Sequence, residues 1–242
     1  MDGRFARTAL ILGREGLERL ASCRVIVFGI GGVGGYAVEA LARSGIGAID
    51  LVDNDTVSLS NLNRQIIALD STIGQYKTDA AMRRILDINP DCKVTAHRMF
   101  YMPETAGSID LRQCDYVVDC IDTVTAKLEL VERCTALGVP VISSMGTGNK
   151  LDPSRLQVAD ISKTSVCPLA RVMRTELRRR GISRLKCVFS TEQSAGSVVP
   201  SGTDGADRGR HAPGSTAFVP AAAGLLIASA VVRDLCGMGR ES

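Results

Sequence analysis

Paired cysteines are missing from this sequence. Eight cysteines are scattered over 242 residues without one CxxC pair, so no disulfide framework is encoded and most of the eight read as small, buried apolar residues. Tryptophan is absent, yet 45% of the residues are hydrophobic, which fits a soluble globular protein. A formal net charge of +3 is too small to argue by itself for a nucleic-acid partner. No stretch is convincing as a stable membrane span, because the longest apolar run, near residues 218–232, is interrupted by Pro220 and Gly224 and is short and small-sided. The beginning of the chain carries Arg4, Arg7, Glu15 and Glu18 and no secretory apolar region, so the expected location is the cytoplasm. The length suits one α/β domain with a sizeable core, or one domain and an appendage.

What is present is concentrated in residues 24–55. A short β-branched run, Arg24-Val-Ile-Val-Phe, enters Gly29-Ile-Gly31-Gly32-Val-Gly34. A helical pattern with Ala37, Val38, Leu41 and Ala42 leaves it, and a second strand ends at Asp53-Asn-Asp55. Strand, glycine turn, helix and strand in that order are the context in which a GxGxxG has meaning. Gly29 permits the tight turn, Gly31 and Gly32 let a phosphate approach the backbone, and Gly34 lets helix and strand pack closely. Bared amides at the helix N-terminus favour an anion. Asp53 stands where a carboxylate accepts ribose hydroxyls, so the stretch predicts an adenine-nucleotide site.

Polar residues follow where a plain crossover helix would be expected: Asn61, Asn63, Arg64 and Gln65, then Gly74-Gln-Tyr-Lys77. An exposed loop would look the same. A triphosphate, however, needs cations, and this glycine turn has no GxxxxGK lysine of its own, which leaves Arg64 and Lys77 as the suppliers. Helices are expected over residues 4–21, with Ala9, Leu10, Leu12, Leu17 and Leu20 inward, and over 77–88 and 127–137. Strands are expected over 93–98, 116–122, 139–144, 156–161 and 187–190. The 116–122 strand ends in two acids, Asp119 and Asp122. Ligands of open α/β sheets lie beyond such strand ends, and a carboxylate beside phosphates calls for Mg²⁺. Asp122 is the better placed, although periodicity does not separate it from Asp119.

Gly146 and Gly148 suggest backbone close to a ligand. A basic helix then opens at Cys167 and carries Arg171, Arg174, Arg178, Arg179 and Arg180, with Arg184 and Lys186 beyond it. Either a solvated face or an RNA-facing surface would need such charges. Residues 194–215, rich in Gly, Ser, Asp and Arg, read as a mobile loop, and His211 within it as solvated. A closing helix from about Pro220 places Ala221, Ala222, Leu225, Leu226 and Val232 against the sheet.

With Arg4-Phe-Ala-Arg7, the glycine turn, Asp53-Asn-Asp55, Ser60-Asn-Leu-Asn-Arg64-Gln65, Gly74-Gln-Tyr-Lys77 and Val118-Asp-Cys-Ile-Asp122 in this order, the chain resembles the ubiquitin-activating-enzyme-like adenylating family. The resemblance implies an α/β, Rossmann-like ATP-binding region with a mainly parallel sheet over residues 1–150. A substrate-binding α+β extension of the same domain would occupy 151–242. By the same resemblance Asp53 is the ribose carboxylate, Asp122 the Mg²⁺ ligand, Arg64 and Lys77 are phosphate ligands, and Asp55, Asn61 and Gln65 belong to the ATP site. Arg7 resembles an arginine that reaches into the partner's site of a homodimer.

Sulfur-carrier activators of the family usually bear two CxxC zinc pairs, absent here. The second half, with Asp160-Ile-Ser-Lys-Thr-Ser-Val-Cys167-Pro-Leu-Ala-Arg171 and Gly214-Ser-x-x-Phe-Val-Pro220, is instead similar to a tRNA-modifying branch. That likeness implies ATP-dependent closure of a threonylcarbamoyl side chain beside the anticodon, with Arg174, Arg178, Arg179, Arg180 and Arg184 facing tRNA. It also implies a cysteine-desulfurase-type or sulfur-acceptor partner and a monovalent cation (Na⁺ or K⁺) near ATP. Adenylation of the C-terminus of a small ubiquitin-like sulfur carrier is the alternative activity. Cys167 reads as structural, with a thioester or persulfide role as the alternative.

Overall fold

The computed structural model describes residues 3–195 and 213–238. Its first strand, β1 (Arg24–Phe28), is buried from Val25 to Phe28. A run that is apolar on both faces sits in the middle of a sheet with helices on either side. Around it lie β2 (Ala48–Val52), β3 (Lys93–His97), β4 (Tyr116–Asp119), β5 (Val141–Ser144), β6 (Leu156–Asp160) and β7 (Lys186–Ser190). Together they form one sheet in the order β3-β2-β1-β4-β5-β7-β6. Every pairing is parallel except β6 with β7. Strand order reverses between β1 and β4, and the crevice beyond those carboxyl ends is where such a sheet binds ligands.

Helices α2 (Gly34–Arg43), α3 (Lys77–Ile88) and α6 (Phe218–Leu235) share one apolar cluster with Val25, Val27, Ile49, Leu51 and Val188 of the sheet. The opposite face packs Ile26 and Phe28 against α4 (Val124–Leu137). Farther along, Cys187 and Phe189 meet α5 (Pro168–Arg179). Alternation along β1 thus serves two cores at once.

Helix α6 is long and apolar enough by composition to cross a bilayer, but its small side chains answer to packing. Gly224 lies so close to the start of α2 that a side chain there would strike the Val33 carbonyl. Residues 3–22 form a 3-10 turn and then α1 (Ala6–Ser22), broken at Gly13 with φ 72°. Leu17 and Leu20 are buried as expected. Leu10, expected inward, is 86% exposed, because the break at Gly13 turns the first part of α1 away from the core. His211 and most of the loop expected at 194–215 lie outside the described residues.

Candidate active site

The turn after β1 is held by two contacts that exclude a side chain. Gly29 has φ 84°, and a Cβ there would come within 2.6 Å of the Cys120 carbonyl. At Gly34 a Cβ would collide with the Gly29 carbonyl, so the helix can start only on glycine. Gly31, by contrast, faces open space, with Gln65 Nε2 the nearest atom at 3.8 Å from where a Cβ would lie. The turn therefore closes tightly on itself and leaves room over its middle.

That room belongs to a cleft of about 670 Å³ at the strand ends. Gly29, Gly31, Gly32, Asp53, Asp55, Asn61, Arg64, Gln65, Lys77 and Asp122 all line it. Asp53 is fixed by the amides it accepts from, Ile30 at 2.6 Å and Asp55 at 2.8 Å. Burial pushes its carboxyl above the ordinary range, although Lys77 and those two amides pull the other way. Lys77, only 6% exposed, reaches Asp55 with Nζ at 2.6 Å. Asn61 Oδ1 accepts from the Ser58 amide and so shapes its own loop. Arg64 Nη1 donates to the Ser60 carbonyl and to Asn63 Oδ1.

The two acids left open by the sequence are separated by burial. Asp119 is fully buried and paired with Lys127 at 2.9 Å. Asp122 is exposed, lines the cleft, and among the described residues has only Thr123 Oγ1 as a hydrogen-bond neighbour, at 3.4 Å. No group of three or more potential metal-ligating side chains occurs among the described residues. One open carboxylate beside a phosphate cradle is nevertheless the donor set Mg²⁺ accepts, since it takes its other ligands from phosphates and water. Gln65 Oε1, buried without a hydrogen-bond partner, also fits a site that is completed by a polar ligand.

Sequence reasoning missed part of the wall. Met99, Phe100 and Tyr101, which follow β3, line the cleft, and so do Leu169, Pro213 and Pro220, the last packed against Gly32 of the turn. The position of Met99 to Tyr101 just beyond a parallel strand was the available signal. Nothing in the spacing marks the other three. Residues of the cleft at Gly146 and Gly148 are where the glycines suggested. Cys167 is buried, under the 146 turn. Burial pushes the Cys114, Cys134 and Cys187 thiols up to about 12.

Two expectations need correction. Arg174 does not face solvent with the other cations: its Nη1 donates to Thr164 Oγ1 at 2.6 Å and to the Thr164 carbonyl at 3.0 Å. It is spent on fastening α5 to the preceding turn. Arg179 and Arg180 share the Glu176 carboxylate, and Arg180 also meets Glu132 at 3.2 Å. Arg178 and Arg184 are exposed, as is Arg171. Arg7 is exposed on α1 and is not among the residues lining the cleft of its own chain.

Sheet order, glycine turn and cleft define a doubly wound nucleotide-binding α/β protein, with Arg64, Lys77 and the open carboxylate of Asp122 around the cleft. Residues 5–242 match the ThiF family, and the chain belongs to it. It is 47% identical over 240 residues to the tRNA threonylcarbamoyladenosine dehydratase of Bacillus subtilis, covering 96% of this chain and 94% of that one. The Escherichia coli tRNA N6-threonylcarbamoyladenosine dehydratase solved with AMP superposes with a TM-score of 0.87 at 35% identity. The same enzyme solved with ATP gives 0.84 at 36%. Each of these structures is matched over 97% of this chain and 94% of its own.

Proposed function

We propose that this protein is an ATP-dependent dehydratase that cyclises the threonylcarbamoyl side chain of a modified adenosine in tRNA, working in the cytoplasm as a homodimer. The observation that carries the reading is the convergence of Gly31, Arg64, Lys77 and Asp122 on one cleft, in a chain similar over nearly its whole length to enzymes of that name.

A carboxylate resists acyl substitution because oxide would have to leave. Attack of a carboxylate oxygen on the α-phosphorus of ATP forms an acyl-adenylate and releases pyrophosphate. A carbamoyl nitrogen of the same side chain then attacks the acyl carbon and gives up its proton, and AMP departs with the oxygen. Both nucleophiles come from substrate, so the protein has only to hold them in line and offset charge. Gly31 leaves space at the start of α2, where free amides favour an anion. Arg64 and Lys77 supply positive charge to the phosphates, and Asp53 receives ribose hydroxyls. Asp122 would hold Mg²⁺, which when bound offsets charge on the phosphates. Arg171, Arg178 and Arg184, whose guanidinium groups make no hydrogen bond or ion pair to other described residues, are the cations left to meet RNA phosphates, with Arg179 and Arg180 secondary.

The test is to incubate the protein with ATP, Mg²⁺ and tRNA bearing threonylcarbamoyladenosine, then analyse its nucleosides by mass spectrometry. Loss of one water from the modified nucleoside is expected, in step with AMP release. No mass change, together with pyrophosphate exchange that depends on a carrier protein ending in Gly-Gly, would overturn the reading in favour of sulfur-carrier activation.

A further inference from the structure

Lys127 is among the largest fully buried side chains of the protein, and the adenylation chemistry does not use it. It sits in α4, three residues inside the helix start, and its neighbours are polar. Its Nζ lies 2.9 Å from Asp119 Oδ2 and donates to the Ile121 carbonyl at 3.0 Å. Ser143 Oγ of β5 donates to the same Asp119 oxygen at 2.5 Å, and the Ile121 amide donates to Asp119 Oδ1 at 3.1 Å. Lys127, Asp119 and Ser143 are each 0% exposed. Taking an ammonium and a carboxylate out of water is costly, and well-packed apolar residues often serve stability as well or better. Stability alone is therefore a poor account of this cluster.

Its geometry supplies a better one. Both polar groups of Ile121 are gripped, the N–H by Asp119 and the C=O by Lys127. That carbonyl belongs to the peptide bond joining Ile121 to Asp122. The turn that carries Asp122 is thus fastened one bond away from it, and its other side is jammed against Gly29 through the Cys120 carbonyl. Ser143 ties the cluster to β5, and the residues that follow it, Ser144 to Gly148, also line the cleft. We infer that Lys127, held by Asp119 and Ser143, is a positioning residue that fixes the β4–α4 turn and so aims the Asp122 carboxylate at the phosphate-bound metal. The inference rests on the proposed metal role of Asp122. Asp122 is exposed and has one weak side-chain neighbour among the described residues, so the backbone beneath it supplies the order that this neighbour does not.

The readout is metal affinity rather than turnover. Free Mn²⁺ is followed by electron paramagnetic resonance as the full-length protein is titrated in the presence of α,β-methylene ATP, which cannot be adenylated. Asp119→Asn/Lys127→Met removes both charges together and leaves no unpaired ion. The new amide can still accept from the Ile121 N–H and, with the direction reversed, donate to Ser143 Oγ, so besides the ion pair itself the loss is the grip on the Ile121 carbonyl. This variant should fold, bind metal-free analogue with affinity within about twofold of wild type, and bind Mn²⁺ about 10–100-fold more weakly, the usual effect of losing an outer-shell partner. Ser143→Ala leaves the ion pair in place and should shift the Mn²⁺ affinity in the same direction by less. Wild-type Mn²⁺ affinity in the folded double variant overturns the inference. If the double variant does not fold, Ser143→Ala decides, and unchanged Mn²⁺ affinity there overturns it. Wild-type protein that takes up no Mn²⁺ beyond the analogue's own share would remove the metal role of Asp122 itself, a separate failure that this control identifies.

Discussion

Lys77 and Asp122 occupy the cleft in opposite ways, and this determines what their loss should do. The Lys77 side chain is 8% exposed and paired with an Asp55 side chain that is 58% exposed. Removing the lysine leaves Asp55 free to hydrate, but it also takes away a buried aliphatic stem and the charge beside Asp53, so some stability is lost with it. Asp122 is open to solvent, and an amide in its place creates no cavity. On the proposed mechanism, Lys77→Ala and Asp122→Asn should each lower the dehydration rate by about 10²–10³, the usual effect of removing one electrostatic partner of a developing charge. The melt of Asp122→Asn should remain close to wild type, and that of Lys77→Ala should fall modestly while the protein stays folded. Near-full turnover of either variant at saturating ATP would show that the residue does not serve the phosphates. These two positions were legible in the sequence because strand ends and polar insertions are. Their neighbours were not: no pattern separates Asp119 from Asp122, since two acids three apart straddle the end of a strand, and only the partner on α4 decides which one is buried.

At the scale of elements, every strand and long helix of the described fold was recoverable from alternation, helical periodicity and the Gly and Pro punctuation. Residues 77–88, for example, begin and end where α3 does. The basic helix α5 shows where such reading stops. Its sequence counts cations, but side-chain partners decide which are available. Arg174 is committed to Thr164, and Arg180 to Glu176 and Glu132. Glu132 belongs to α4 and is remote in sequence, so no local pattern could have announced the pairing. Exposed Arg171 and Arg178 lie seven residues apart on the helix, two turns along one face, and Leu169 at the near end lines the cleft. Arg171→Ala/Arg178→Ala should weaken tRNA binding and reduce the log–log salt slope by roughly 0.7–0.9 for each phosphate no longer neutralised, with ATP affinity unchanged. Arg174→Ala should do the reverse: it should lower the melting temperature by freeing the Thr164 turn and leave the salt slope alone. Filter binding across a salt series, beside thermal melts, separates the two. An unchanged slope in the double variant would detach this face from RNA.

For the whole molecule, the first part of α1 is the feature a single chain does not explain. Leu10 and Ile11 are 86% and 81% exposed, and Arg7 precedes Leu10 by one helical turn, on the same face. Two adjacent large aliphatic side chains this open to solvent would be better placed if another chain covered them, and the arginine beside them does not line the cleft of its own chain. In a two-fold dimer each chain would present the same segment to the other, so Arg7 would complete the partner's phosphate site. A mixing experiment distinguishes this from action within one chain. Homodimers of Arg7→Ala lack the arginine at both sites, and homodimers of Asp122→Asn lack the carboxylate at both. A mixed dimer has one site with an intact Asp122 that receives Arg7 from the other chain, and one site with neither. Random exchange of equal amounts makes half of the dimers mixed, so activity should recover to roughly a quarter of the wild-type value. If Arg7 served its own chain, both sites of the mixed dimer would lack one residue and nothing would recover. Subunit exchange must be confirmed independently, by native mass spectrometry of chains tagged to differ in mass. With exchange confirmed, silence on mixing would refute the shared site, and recovery near a quarter would make the dimer the catalytic unit.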